Sequence, residues 1–410
     1  MTDPTAADAV DDIASSTDIR GGTLARLTAA KTVANVALRW IPPFLPTLER
    51  AFGATTTQLT TVLGVGEAAG LSTVFAGRHL DRGRERAVMI GALGLVGASA
   101  VLALAGTLTT FAISFFVLVL GVSNLTVAGQ AWISHRVDYR RRARSLGLYE
   151  TSWALALLIG APIVAVLINL FGWRGPFVAI AIACVLAAVL VGVTLPAQVT
   201  STGLQTVDAA ASGHRFAPPS TRITARAWLV MIGSATTAMA GLAVFVVSGS
   251  WLDDAFGVST GGIGAVAMLF GATELVSSLG SAAFADRIGK LRTTLGGIAT
   301  LLVGLAVMIS ADDRLGVGIA GLVVFLLGFE LAFVVSLSLV SESMPDARGS
   351  TLAVSNAVGT VARASGAVIS GWLYGVHGIA GTAGLSAVAA VVAVLSLLVS
   401  RRPQPTIPVA

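Results

Sequence analysis

Runs of about 20 apolar residues, each closed by charges or by Gly/Pro punctuation, recur along nearly the whole chain. They do not alternate with period two, so they read as helices and not as barrel strands. Marking them gives twelve spans, at 27–47, 56–77, 87–107, 110–133, 146–169, 174–195, 225–250, 259–282, 292–311, 315–339, 350–371 and 377–399. Such lengths cross a hydrocarbon core as helices, and the Gly and Ala inside them suit close helix packing. A Ser/Thr/Pro/Gly-rich stretch at 196–223 has linker composition and separates six spans from six. The expected organisation is a disordered tail at 1–24, a bundle at 25–195, the linker, a second bundle at 224–400 and a short tail at 401–410. The acidic N-terminus lacks the basic and apolar regions of a signal peptide.

Composition narrows the class. The chain is 55% hydrophobic and 11% charged, with mean hydropathy +0.85. A pI near 10.1 suggests nucleic acid, but no basic run is interleaved with aromatics on a polar face, so no nucleic-acid partner is expected. Basic residues instead report orientation. With the N-terminus inside, cytoplasmic segments carry twenty Lys/Arg and outside segments carry three, Arg50, Arg174 and Arg314. Both termini are therefore expected in the cytoplasm of a bacterial plasma-membrane protein. The single Cys184 and four scattered histidines offer no disulfide framework and no metal centre, and no cofactor is expected.

The halves repeat. Leu48-Glu49-Arg50-Ala51-Phe52-Gly53 answers Leu252-Asp253-Asp254-Ala255-Phe256-Gly257 at an offset of 204. Asp81-Arg82 answers Asp286-Arg287 at 205, and Gly160, Gly172 and Gly175 answer Gly366, Gly378 and Gly381 at 206. A near-constant offset indicates a six-span unit duplicated in parallel, with a pseudo-twofold axis along the membrane normal. Six plus six spans, with Asp286-Arg287-Ile288-Gly289-Lys290 after span 8 and Gly77, Asp81 and Arg82 near the same place after span 2, resemble the major facilitator superfamily of secondary transporters. The Phe171–Phe177 segment between spans 5 and 6 is similar to that family too. The first loop departs from the pattern, since its glycine, Gly83, stands one place early. The resemblance covers about residues 25 to 400 and implies an all-α membrane protein of twelve helices in two six-helix bundles. It also implies alternating access, and a cytoplasmic latch in which Asp81 meets the start of span 11 near Arg348 and Asp286 meets span 5 near Arg144.

Charges inside the spans need a partner or a task, since insertion costs roughly 2.5–3.5 kcal/mol each even on lenient scales. At about 1.5 Å rise per residue, Glu67 and Arg363 lie roughly 21 and 22 Å above the cytoplasmic loops. The resemblance implies that spans 2 and 11 are neighbours, so the two can form an outer gate or a static pair. Glu274 lies about 18 Å deep. Burial of an unpaired carboxylate favours proton exchange. Glu274 and Glu330 are thus proton-coupling candidates, or neutral acids hydrogen-bonded to neighbouring helices. By resemblance spans 1 and 10 line the cavity. Arg39 is then the leading substrate contact, suited to carboxylate or phosphate, unless it is bridged to Glu330. Asn35, Asn124, Gln130, Asn356 and Trp153 are lesser candidates, with helix packing as the alternative. Prolines 42, 43 and 46 follow Arg39 and loosen span 1.

The expected function is proton-coupled movement of a small organic solute by a monomer in the lipid bilayer. Efflux of drugs or amphipathic compounds is the alternative, weakened because span 4 lacks an arginine and span 5 has Gly160 and Pro162 without a following glycine pair. No phosphate-binding loop occurs, so ATP drive within the chain is not expected. A membrane-embedded enzyme or a sensor is a remote alternative.

Overall fold

A computed structural model describes residues 21–73, 79–80, 82–137, 139–195, 223–344 and 348–401. The tail before residue 21, residues 196–222 of the linker, Asp81 and residues 402–410 lie outside it. All regular structure among the described residues is helical. Among the described residues nine helices are long and apolar enough to cross a membrane. One of these, Thr351–Val399, holds spans 11 and 12, because Gly378 reverses the chain with φ 60° and ψ −153°.

Spans 1 and 2 are not among them: Gly21–Arg39 has the length but carries Arg26, Lys31 and Arg39, and span 2 is broken into shorter pieces. Span 1 runs as Gly21–Arg39, turns through residues 40–44 and resumes as Leu45–Phe52. Pro42 and Pro43 cause the break, since proline lacks an N–H and excludes the preceding residue from helical geometry. Span 2 begins at a capping box, with Thr55 and Gln58 satisfying each other's backbone donors, and runs as Thr56–Gly66. It then tightens into a 3₁₀ turn, Glu67–Ser72. Span 5 also changes pitch, from Ser152–Leu155 through a π turn, Ala156–Gly160, to Ala161–Phe171. Pro162 has no N–H to offer the Leu158 carbonyl, which accounts for a widened turn there.

The repeat survives in the backbone. Gly53 and Gly257, 204 residues apart, both end a helix in the left-handed region, with φ 59° and 62°. Gly172 and Gly378, 206 apart, share the same unusual reversal, with φ 67° and 60°. A side chain at any of the four would be strained.

Close packing follows the small residues. On span 9 (Lys290–Ile309) Gly297 faces Gly328 of span 10 (Leu315–Ser343) and Gly304 faces the Phe325 backbone, while Gly321 of span 10 faces the Met308 backbone. A Cβ on Gly297 would lie 2.8 Å from the Gly328 carbonyl, so these backbones touch. Large apolar side chains such as Leu170 and Leu279 stand outward, 68% and 69% exposed, as lipid-facing residues do.

Candidate functional site

Two G-x-x-E segments organise the centre of the molecule. Gly64-Val65-Gly66-Glu67 is on span 2 and Gly271-Ala272-Thr273-Glu274 is on span 8, an offset of 207. In each, the glycine lets the span lie against a helix of the other half, and the acid one turn on reaches an arginine. Gly64 leaves only 2.6 Å between an added Cβ and the Ala364 carbonyl of span 11. Gly271 packs as closely on the backbone of Ala154 and Leu158 in span 5.

Glu67 accepts a hydrogen bond from Arg363 Nε at 3.2 Å, and Arg363 also donates to Thr360. Both charged side chains are partly exposed. Further contacts join the halves toward the end bearing Gly53 and Gly257. Thr57 donates to the Gly371 carbonyl at 3.0 Å, Ser250 donates to Glu49 at 2.9 Å, and Arg50 meets Asp253 at 2.6 Å. Gly249 sits on the Pro43 carbonyl. That end is closed.

Exchanging the partners, as Glu67→Arg with Arg363→Glu, should restore the transport that each single change removes. Solute flux into vesicles measures this, and an inactive double variant alongside inactive singles argues against a functional pair.

The opposite end carries the charged loops. Arg82, Arg144, Asp286 and Arg287 are all exposed. Asp286 and Arg144 do not pair with each other among the described residues. Arg348 begins its helix, but its side chain, like Asp81, lies outside the described residues. Each half is instead tied within itself. Glu85 holds His135 and Arg136 between spans 3 and 4, and Lys290 holds Glu342 between spans 9 and 10. These are repeat positions with the charges reversed, at offsets of 205 and 206.

Midway between the ends, Arg39 and Glu274 form a buried two-pronged pair. Arg39 Nη1 donates to Oε2 and Nη2 to Oε1, each at 2.5 Å, and Nη1 also donates to the Trp153 carbonyl at 2.9 Å. The guanidinium lies 4.3 Å from the Trp153 ring centroid and 5.5 Å from that of Phe245. This corrects two expectations. Glu274 is not unpaired, and the bridge from Arg39 goes to it and not to Glu330. The reason is that span 8 presents its acid to span 1 and its glycine to span 5. Glu330, buried on span 10, interacts electrostatically with both members of the pair but has no hydrogen-bond partner among the described residues.

Three of the remaining polar candidates are engaged. Asn35 donates to Ser152 at 3.1 Å, Asn124 to Ser72 at 3.1 Å and to the Leu120 carbonyl at 2.8 Å, and Gln130 to Glu150 at 2.9 Å. Asn356 is exposed, and Trp153 is 40% exposed beside Arg39. Sequence reasoning missed the Lys31–Glu150 pair. Lys31 is almost fully buried, lies 4.3 Å from the Tyr149 ring centroid and donates to Glu150 at 2.7 Å. Lys31, Asn35 and Arg39 recur every four residues, so they form one polar stripe on span 1, facing Glu150, Ser152 and Trp153 of span 5. That four-residue period was the available signal.

A profile described as Major Facilitator Superfamily matches residues 28–366 and 229–409. Two Bacillus subtilis (strain 168) proteins, YceJ and YwfA, both described as uncharacterized MFS-type transporters, are each 24% identical over 343 residues. These matches cover 82% of this chain and 84% and 81% of theirs. Among solved structures, a D-xylose-proton symporter superposes with TM-score 0.72 at 16% identity, covering 93% of this chain and 97% of that one. A bacterial homolog of the human lysosomal transporter Spinster, inward-facing and unoccupied, gives TM-score 0.69 at 14% identity, with 92% and 94% covered.

Proposed function

The chain belongs to the Major Facilitator Superfamily, and from that premise we propose that it is a proton-coupled secondary transporter of a small organic solute, with Glu330 as the proton carrier. One observation carries the reading: a buried carboxylate with no hydrogen-bond partner among the described residues stands beside an arginine whose charge is already met by Glu274. Two acids and one base in a low-dielectric site favour one bound proton, because like charges there repel strongly. Releasing that proton leaves a net negative site, and this couples protonation to whatever else binds. The superposition on a D-xylose-proton symporter is compatible with such coupling.

The gate works at the opposite level. The excess of basic residues assigns the charged loops, and with them both termini, to the cytoplasm of a bacterial plasma membrane. The Gly53/Gly257 end is then extracellular, and the structure corresponds to a state closed outside. Glu67–Arg363 and Arg50–Asp253 are the polar contacts that break when the halves rock, while Asp81, Arg82, Asp286 and Arg287 close the cytoplasmic side against the starts of spans 11 and 5.

The test is flux into liposomes holding the purified chain, with an imposed pH gradient. Wild type should accumulate solute against its gradient. Glu330→Gln should lose accumulation yet keep downhill exchange of labelled for unlabelled solute. Undiminished accumulation by the variant would remove Glu330 from the coupling step.

A further inference from the structure

Apart from Arg174, Arg226 and Arg292 at span ends, seven acidic or basic side chains lie within the apolar spans: Lys31, Arg39, Glu67, Glu150, Glu274, Glu330 and Arg363. Six of them are matched in pairs, Lys31 with Glu150, Arg39 with Glu274 and Arg363 with Glu67. Glu330 is left over, buried and without an ion-pair partner of its own among the described residues. Building on Glu330 as the proton carrier, we infer that the cargo is a singly charged organic cation, exchanged one for one with the proton on Glu330.

The charge balance excludes an anion as the better cargo. Arg39 has both terminal nitrogens on Glu274 and a third bond on the Trp153 carbonyl. An anion reaching it must displace a two-pronged carboxylate and would join two uncompensated acids in a buried site, where removing one partner of a pair is strongly unfavourable. A cation does the reverse and neutralises the one unmatched charge.

A neutral polyol fits poorly for a different reason. The amide candidates Asn35, Asn124 and Gln130 already have partners in Ser152, Ser72 and Glu150. What remains is aromatic. Trp153 is 40% exposed, Phe245 flanks Arg39, and Phe329 and Phe333 stack with ring centroids 5.7 Å apart, one residue before and three after Glu330. Trp153 and Phe245 already meet the Arg39 guanidinium, and the rings on Glu330's own span suit a cation with an apolar body. Swapping one proton for one such cation moves no net charge across the membrane.

The experiment uses the full chain in liposomes with three probes: the cation 1-methyl-4-phenylpyridinium, the neutral sugar xylose and the anion p-toluenesulfonate. With the potential clamped at zero and the interior acidic, the cation should accumulate about tenfold per pH unit, the limit for one-for-one exchange. An inside-negative potential without a pH gradient should produce no accumulation above protein-free liposomes. Cation accumulation driven by potential overturns the one-for-one exchange. Gradient-driven movement of xylose or toluenesulfonate in place of the cation overturns the cargo class while leaving proton coupling intact. A cation that binds in detergent, but that no pH gradient moves, overturns proton coupling and the exchange with it.

Discussion

Arg39→Ala is expected to destabilise the protein by about 3–5 kcal/mol, the cost of stranding one member of a buried ion pair. The substitution leaves Glu274 and Glu330 as neighbouring buried acids with no cation between them. Thermal unfolding in detergent should show a marked fall in midpoint. The double variant Arg39→Met, Glu274→Met should recover most of it, since two apolar side chains of similar volume replace the pair without leaving a charge. Transport should be lost in both. A single variant as stable as wild type would mean that Glu274 takes up a proton without penalty, and that the pair contributes nothing to the fold.

Gly64→Leu should cut transport by roughly 5- to 150-fold while leaving a folded chain. Even a methyl group there would press on the Ala364 carbonyl at 2.6 Å and on Val368 at 2.7 Å. One of these is helix backbone, so relief comes only by moving spans 2 and 11 apart. Overpacking costs about 1–3 kcal/mol, and a bias of that size shifts a two-state equilibrium by the quoted factor. The variant should rest with its Gly53/Gly257 end open. Thr57→Cys, at a position bonded across that seam to Gly371, reports this: it should react with an impermeant maleimide markedly faster when Gly64 is also replaced. The native Cys184 is buried and supplies little background. Unchanged transport would show that the seam need not close this tightly.

Spans, duplication and family were readable in one dimension because each rests on periodicity along the chain. Apolar run length reports membrane crossing, and offsets of 204 to 207 report the repeat, down to paired glycines with the same reversed backbone. The arrangement around Arg39 was only half readable. Counting residues from opposite ends sets Arg39 about 15 Å from one face and Glu274 about 18 Å from the other, close to one level. Level does not choose a facing helix. That choice depends on the break at Pro42 and Pro43 and on the glycine that lets span 8 lie on span 5. Glu150 reads as a boundary residue four places into its span. Only the bundle shows that it caps the buried Lys31.

The pairs that cross between halves bear on how the chain is made. Arg39 enters the bilayer long before Glu274 exists, because 235 residues separate them. At about 5–20 residues per second, synthesis leaves that arginine unmatched for roughly 10–50 s. Glu67 waits longer, for Arg363. The first six spans are therefore a provisional assembly, whose buried charges must borrow water, lipid headgroups or a chaperone until the second six arrive. Ribosome pausing within the linker would lengthen that wait, and membrane proteases would find their substrate in it.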